Sequence, residues 1–204
     1  MAKKRAPLPH RQRDILRAAR EVLSSDPRSP MSAVASAAGV GMSALYRNFP
    51  SKEVLLQAIV DEAETAYESS LQKAHEALDA GRDGHEVLSG FVLDLLTAGA
   101  ATMNPRLPGM AGAGAQDEDR WKRLSDSNRA LFDRVQAAGA LREGVTFHDI
   151  GVLVFALGTV RGATAAETAV LQRRLTVAVM DGLRPVHGPL PGPGATRGDV
   201  YGTT

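Results

Sequence analysis

Two short apolar repeats joined by a glycine-containing turn, within residues 29–52, constrain the fold of this 204-residue chain more than any other feature. The first repeat, over residues 31–38, has the spacing of a helix with one buried face, and a proline stands at its first position, where a missing N–H costs nothing. Gly39 supplies the left-handed residue with which many helices end. A second short helix is predicted over residues 42–49. Two short helices joined by such a turn form a helix-turn-helix, whose second helix enters the major groove of DNA.

The residues after this glycine resemble a known DNA-binding signature. The run AGVGMSALYRNFPSKEVLLQAIV, at residues 38–60, resembles the signature of the TetR family of bacterial transcriptional regulators. The resemblance rests on the Ala-Gly-Val turn, on Leu-Tyr-Arg at residues 45–47 and on Ser-Lys-Glu at residues 51–53, which fall in one register. It covers roughly residues 9–68, and on these motifs the chain is identified as a member of the family.

The resemblance implies an all-α fold of about nine helices in two domains. A three-helix DNA-binding domain is expected over residues 9–68, with the helix-turn-helix motif at about 30–49. An effector-binding and dimerisation domain, also helical, is expected over residues 69–184. Residues 1–8 should form a flexible basic arm, and residues 185–204, which are rich in Gly and Pro, are expected to be a disordered tail.

The distribution of charge separates the same two parts. Residues 1–52 contain ten Lys or Arg and three acidic residues, whereas the remainder contains 14 and 20. A basic module on an acidic body suits a polyanionic partner held at one end. The chain has no cysteine, which excludes a disulfide framework, a thiolate metal site and a cysteine nucleophile. Without a signal-peptide pattern or an apolar run of about 18 residues, a cytoplasmic protein with no membrane partner is expected.

The resemblance assigns the DNA contacts residue by residue. Tyr46 matches the family's phosphate-binding tyrosine, and Lys52 matches a lysine that meets a phosphate at the start of the next helix, where backbone N–H groups also face it. Arg47 is a candidate partner of guanine and Asn48 of adenine, although either can instead meet the DNA backbone. A glycine and an alanine stand where the family often has hydroxyl residues, so a large share of readout is expected from phosphates and DNA shape. The predicted DNA-binding residues are Ser32, Gly41, Met42, Ser43, Ala44, Tyr46, Arg47, Asn48 and Lys52.

The second domain is expected to bind a small apolar or amphipathic effector and to pair with its own copy. Its aromatic and Met residues can equally be plain core, because helical spacing does not distinguish core from pocket. A loop over residues 104–114 is expected to be mobile, and residues 150–160 are predicted to form a helix buried on nearly all sides. The predicted pocket residues are Phe91, Leu95, Met103, Trp121, Leu124, Asn128 and Phe155. The predicted dimer residues are Leu153, Leu157, Val170, Leu171 and Leu175.

The function predicted from these features is a DNA-binding transcriptional regulator. Its expected mode is a repressor that leaves a palindromic operator in double-stranded DNA when the effector binds. A regulator without a small-molecule effector, which answers to a protein partner or to its own level, is an alternative. An enzyme is a distant alternative, because the chain has no Gly-x-Ser-x-Gly, phosphate-loop or His-Glu-x-x-His motif. Its five histidines show no metal-ligand spacing, and no cofactor is expected.

Overall fold

The structure is a computed structural model, and it describes residues 10–199 apart from residues 27, 99–117 and 197. The predicted all-α fold is confirmed, since the described residues form eight α-helices, one 3₁₀-helix and no strand. The helices are α1 (His10–Ser25), α2 (Met31–Ala37), α3 (Met42–Asn48), α4 (Lys52–Asp79), α5 (Gly84–Thr97), α6 (Glu118–Ala137), α7 (Phe147–Thr159), α8 (Ala165–Asp181) and the 3₁₀-helix Pro185–His187. The predicted basic arm and the predicted mobile loop lie outside the described residues.

The first three helices and the start of α4 pack around one apolar core. Ile15 and Leu16 of α1, Leu45 of α3 and Leu55 of α4 are fully buried in it. Gly39 adopts the predicted left-handed conformation, with φ of 64°. This conformation lets the N–H of residue 40 return to the carbonyl of residue 35 at 3.0 Å and so end α2. The turn sets α2 and α3 against each other as a helix-turn-helix.

The long helix α4 connects the two halves of the molecule. The Ser51 side chain caps it by accepting a hydrogen bond from the N–H of Val54 at 3.3 Å. Near its start, Leu55 and Ile59 belong to the first core, whereas Leu71 lies in a second core. With 28 residues, α4 is about 42 Å long, since each residue adds about 1.5 Å. A single continuous helix therefore carries any displacement from one core to the other.

The second core is formed by α4 to α8, with α5 at its centre. Eight of the 14 residues of α5 are buried. Side-chain caps begin three of the helices: Asp83 accepts from the N–H of Glu86 at 2.9 Å, and Thr146 and Thr164 accept in the same way at α7 and α8. At α7 the reciprocal bond is also present, because the Asp149 carboxylate accepts from the Thr146 N–H at 2.7 Å. These caps satisfy backbone N–H groups in the first turns of α5, α7 and α8 and so fix where the three helices begin.

The predicted burial of residues 150–160 on nearly all sides is wrong for a single subunit. In α7, Ile150 and Leu157 face the second core, but Val152 and Phe155 are exposed. A continuous apolar run specifies no buried face by itself, because nothing in it distinguishes the side that meets the subunit's core. The exposed side of α7 therefore needs another explanation.

The predicted disorder of residues 185–204 is wrong for the first part of that segment. Arg142 donates to the carbonyl of Gly188 at 2.6 Å and to two neighbouring carbonyls of the segment at 3.1 Å. Further along, the N–H of Ala195 donates to the carboxylate of Asp149 at 2.8 Å. A stretch rich in Gly and Pro becomes ordered here because a guanidinium elsewhere in the chain satisfies its backbone acceptors.

Candidate nucleic-acid interface

The helix α3 is held by one face and leaves the other open. Leu45 is fully buried, and Phe49, which follows the helix, is also buried. Ser43, Tyr46 and Arg47 are exposed. Because helical residues three and four apart share a face, burying residues 45 and 49 turns these side chains away from the core. Tyr46 is therefore a surface residue and not a core aromatic, which is what a phosphate contact requires.

The N-cap residue of α3 is Gly41, and its backbone conformation does not require a glycine. Gly41 has φ of −71° and ψ of 152°, an ordinary extended conformation, and makes no side-chain cap. A Cβ added to it would have no heavy atom within 4 Å apart from its neighbours in the chain. A serine would therefore fit at this position. Ser32 of α2 and Met42 of α3 are exposed, and Ala44 is half-buried.

The amide of Asn48 already makes one hydrogen bond within its own helix. Its Nδ2 donates to the carbonyl of Ala44 at 2.7 Å, one turn earlier, and the residue is half-buried. Pairing with adenine uses the amide oxygen and nitrogen together. The bond to Ala44 uses one of the two amide hydrogens and restricts how the amide can turn, so adenine readout would have to use the second hydrogen.

Lys52 is fastened to the protein as well as placed at a helix start. Its Nζ donates to the carbonyl of Ser29 at 2.8 Å, which joins the first residue of α4 to the turn before α2. An ammonium group has three donors, so this bond is compatible with a phosphate contact.

The carboxyl group of Glu53, the residue after Lys52, has a lowered pKa. The main reason is its hydrogen bond with the Ser51 side chain, and the charge of Lys52 adds to the effect.

The predicted pocket residues are only partly together. Phe91, Leu95 and Leu124 are buried in the second core, where Tyr67 packs edge-on against Phe91 with ring centroids 5.8 Å apart. Asn128 is half-buried on α6. Phe155 does not join them, because its side chain is 46% exposed. Met103 lies outside the described residues, as does the side chain of Trp121.

The predicted dimer residues divide between two environments. Val170, Leu171 and Leu175 of α8 are exposed, as an interface requires. Leu157 is only 6% exposed and belongs to the subunit's own core, and Leu153 is half-buried against that core. Placing Leu157 on an exposed face is therefore wrong. The same two helices expose three further apolar residues that were not among the predicted dimer residues: Val152, Phe155 and Val177.

Comparison with known proteins identifies both parts of the chain. Residues 15–59 match the family model of bacterial regulatory proteins of the TetR family, and residues 83–185 match the C-terminal domain of SbtR-like transcriptional regulators. The chain belongs to the TetR family. TetR-family proteins are DNA-binding transcriptional regulators, usually repressors that respond to a ligand, so the predicted regulatory function is confirmed. Such regulators bind DNA operators, usually as homodimers, and are generally not enzymes.

Two relatives carry the name nucleoid occlusion factor SlmA. The protein from Marinobacter nauticus is 33% identical over 145 residues, which span 67% of this chain and 72% of that protein. The protein from Vibrio cholerae is 30% identical over 148 residues, which span 68% and 72%. Both relatives therefore cover more than the DNA-binding module of this TetR-family chain.

Two solved structures share the fold. The TetR transcriptional regulator SCO0520 from Streptomyces coelicolor is 26% identical, covers 85% of this chain and 98% of its own, and has a TM-score of 0.54. The TetR-like regulator LfrR from Mycobacterium smegmatis, solved in complex with proflavine, is 22% identical. The match covers 91% of this chain and 100% of LfrR, with a TM-score of 0.56. At this identity the similarity is one of fold only.

The described part of this TetR-family chain offers neither a membrane span nor a metal centre. Each helix in it is too short or too polar to cross a bilayer. No cluster of three His, Asp or Glu side chains there has the arrangement of a metal site.

Proposed function

We propose that this protein binds a palindromic operator as a homodimer in the cytoplasm and represses transcription until a small effector releases it. The observation that carries the proposal is the open face of α3, which presents Ser43, Tyr46 and Arg47 while Leu45 and Phe49 anchor the helix. A recognition helix needs this division, because its register on DNA depends on a rigid attachment to the domain.

The DNA contacts in this proposal come from α3 and from the helix starts beside it. Tyr46 and Lys52 bind phosphates, and Arg47 is placed to reach a base edge or a phosphate. Met42, Ser43 and Ala44 lie near the start of α3, where side chains of recognition helices contact bases. Asn48 contributes through the amide oxygen and the second amide hydrogen, since the first hydrogen is bonded to Ala44. Specificity then depends substantially on DNA shape.

The dimer is proposed to form through the exposed apolar side of α7 and α8. One recognition helix contacts few base pairs, and a two-fold dimer doubles the contacts on half-sites about 34–36 Å apart. The exposed side chains that support this surface are large and apolar, and water is an unfavourable cover for them. They are Val152, Phe155, Val170, Leu171, Leu175 and Val177.

The effector is proposed to be small and apolar or amphipathic, and to bind where α5 meets α4 and α6. Phe91, Leu95 and Leu124 supply apolar surface there, and Tyr67 adds an aromatic edge with a hydroxyl. Trp121 is the only tryptophan of the chain. A compound that releases DNA should therefore change the intrinsic fluorescence of the protein. Release with unchanged emission and unchanged hydrogen exchange over residues 85–97 and 120–132 would place the effector elsewhere.

The operator proposal is tested by selecting binding sequences from a randomised duplex pool with the full chain. Enrichment of a palindrome with half-sites about one helical turn apart is the expected result. The variant Arg47→Ala should alter the enriched sequence if Arg47 reads a base, and should weaken binding uniformly if it binds a phosphate. Enrichment of no sequence would contradict the proposal of an operator-specific repressor.

A second candidate function follows from the two relatives named nucleoid occlusion factor, which are 30% and 33% identical. In this case the chain binds many chromosomal sites and responds to a protein partner without a small effector. Mapping the bound sites in cells separates the candidates. A few sites at promoters favour the effector-released repressor, whereas many sites spread over the chromosome favour the second candidate.

A further inference from the structure

The helix α4 is held to α6 by charged side chains in addition to apolar packing. Arg120 of α6 forms ion pairs with Glu64 and Glu68 of α4. Nearer the C-terminal end of both helices, Arg134 of α6 forms an ion pair with Asp79 of α4. Apolar packing is non-directional and tolerates sliding, but hydrogen-bonded ion pairs have a required geometry. The ion pairs, together with the hydrogen bonds of His75 of α4 with Ser127 and Arg134 of α6, are therefore the contacts that specify how α4 sits on α6.

Arg120 makes three charge-assisted hydrogen bonds to α4. Its Nε and Nη2 donate to the two carboxylate oxygens of Glu68 at 2.8 and 3.0 Å, which is a bidentate fork. Its Nη1 donates to Oε2 of Glu64 at 2.6 Å. The hydrogen bond with Glu68 is the main reason that the pKa of Arg120 is raised; burial opposes it, and the charges of Glu64, Glu68 and Asp61 add to the rise. The guanidinium is thus firmly charged and tied to two successive turns of α4.

Burial makes the contact with Glu64 the more consequential of the two. The side chain of Glu64 is 8% exposed and that of Arg120 is 19% exposed, whereas Glu68 is 44% exposed. Removing Arg120 takes from the buried carboxylate of Glu64 a hydrogen-bonded cation that compensates its charge, which is unfavourable. Without Arg120, α4 lowers this cost by turning Glu64 toward water or by moving away from α6.

Such a movement reaches the DNA-binding module because α4 is continuous. Glu64 and Leu55, which is fully buried in the first core, lie nine residues or about 13 Å apart on one helix. A tilt of about 5° at residue 64 displaces residue 55 by about 1 Å over that length. The first core, including Leu45 of α3, moves with Leu55. In a two-fold dimer the displacement changes the distance between the α3 helices of the two subunits.

The second ion pair of the same contact provides an internal comparison. Arg134 donates to Asp79 at 2.6 Å, a distance as short as that between Arg120 and Glu64. Its side chains are 40% and 68% exposed, and Asp79 is the last residue of α4. An exposed pair contributes little to stability. Either residue of this pair can therefore lose its partner without leaving a buried charge.

We propose that Arg120 is a positioning residue for DNA binding, which holds α4, and through it α3, in the DNA-binding orientation by compensating the buried carboxylate of Glu64 and gripping Glu68. The inference rests on the proposed function in that DNA is bound through α3. According to this inference, the operator affinity depends in part on Arg120, a side chain far from the DNA. Arg134, in the same helix and the same type of ion pair, has no comparable share.

The test compares Arg120→Met with Arg134→Met in the full chain. The probe is the duplex that the wild-type protein enriches from a randomised pool, and a scrambled duplex of equal length is the reference. Arg120→Met should weaken binding of the selected duplex by about tenfold or more, within the range found for coupled sites. Arg134→Met should change it by less than about twofold. Arg120→Lys, which keeps the charge but cannot form the fork, should fall between them.

A second readout separates positioning from a loss of stability. The chain has no cysteine. The substitution Ser36→Cys, at an exposed position of α2, therefore provides one site for a spin label in each subunit. The distance between the labels of a dimer is measured without DNA, at a temperature where circular dichroism shows each variant folded. Arg120→Met should shift or broaden the distance distribution, and Arg134→Met should leave it unchanged. A merely stabilising role of Arg120 would alter the melting temperature but not this distribution.

Two further outcomes are decisive. If Arg120→Met fails to fold, the double variant Arg120→Met, Glu64→Gln removes the buried charge. It should fold but keep the weakened binding and the altered distances. A folded Arg120→Met or double variant with wild-type affinity and wild-type distances overturns the inference. If the wild-type protein enriches no duplex, the proposed operator fails, and the spin-label distances of the dimer still decide the role of Arg120.

Discussion

The helices α3 and α8 each leave one face uncovered in the subunit, but the two faces differ in chemistry. The open face of α3 carries Tyr46 and Arg47, whose polar groups remain hydrated, while α8 exposes Val170, Leu175 and Val177. Exposed apolar area costs roughly 25 cal/mol per Å² relative to burial. An uncovered polar face is therefore stable while it waits for DNA, whereas the apolar face of α8 favours a permanent protein cover.

The two helices also differ in how they are attached. The seven residues of α3 depend on Leu45 within the helix and Phe49 just after it. The 17 residues of α8 bury Thr176 and Met180 against the second core and expose much of the rest. The comparison indicates that α3 is attached through its buried face, whereas the subunit leaves most of α8 exposed, as the proposed dimer interface requires.

The largest effect on this comparison is expected from Leu45→Ala. Truncating a fully buried leucine leaves a cavity and costs about 2–5 kcal/mol. The DNA-binding module should lose its packing, and operator binding should disappear, while the dimer persists because the second core is separate. Urea unfolding and sedimentation on the same samples measure both properties. Met42→Ala, at an exposed position of the same helix, should cost less than about 0.5 kcal/mol. Equal effects of the two variants would contradict the anchoring role of Leu45.

A charge on α8 should produce the next largest effect. Leu175→Arg places a guanidinium on the proposed dimer face and should weaken dimerisation by about 2 kcal/mol or more, with helicity retained. Sedimentation over a concentration series measures the change. Leu157→Arg is the matched contrast, since Leu157 is buried in the subunit core and its replacement should unfold the subunit. If Leu175→Arg dimerises as well as the wild type, the face of α8 is not the interface.

Lys52→Ala should have a smaller effect that depends on salt. Losing one phosphate contact should weaken binding to all sequences alike and reduce the slope of log affinity against log salt by about 1. Loss of the hydrogen bond to Ser29 should also lower the free energy of unfolding by about 1 kcal/mol. Lys73→Ala, an exposed lysine further along α4, should leave the slope unchanged. An unchanged slope for Lys52→Ala would remove Lys52 from the DNA interface.

Gly41→Ser should produce the smallest effect, and it should be favourable. The extended backbone and open surroundings of Gly41 accept a side chain, and a serine hydroxyl can cap the first turn of α3. The expected gain is a few tenths of a kcal/mol in the stability of the DNA-binding module. Gly39→Ser should instead be destabilising by about 1 kcal/mol, because φ there is 64°. Urea midpoints measured together compare the two serines, and a loss at position 41 would argue against the cap.

Local signals in the sequence were sufficient for the boundaries of α3 and for the helix caps. The predicted span 42–49 differs from the observed one by a single residue, and Thr146 and Thr164, each three residues before an acidic residue, cap their helices. These features depend on residues within one helical turn of each other. Their free energies are set locally, and the distant parts of the chain have little influence on them.

Contacts between distant residues could not be predicted in the same way. Lys52 donates to a carbonyl 23 residues earlier, and Arg142 donates to carbonyls 40 or more residues later. No periodicity reports such a contact, because it depends on where the two cores bring the backbone.

The sequence by itself determined that the chain is helical and that it contains a helix-turn-helix of the TetR family. It also determined that Gly39 ends the first helix of this motif. Periodicity and capping suffice for this, because they are properties of neighbouring residues. Only the tertiary structure decided which side of α7 is buried, how the tail is ordered and which arginine of α6 meets a buried carboxylate of α4. Burial depends on all the helices packed around a side chain, and the energy of a charge pair such as Arg120 and Glu64 changes with that burial.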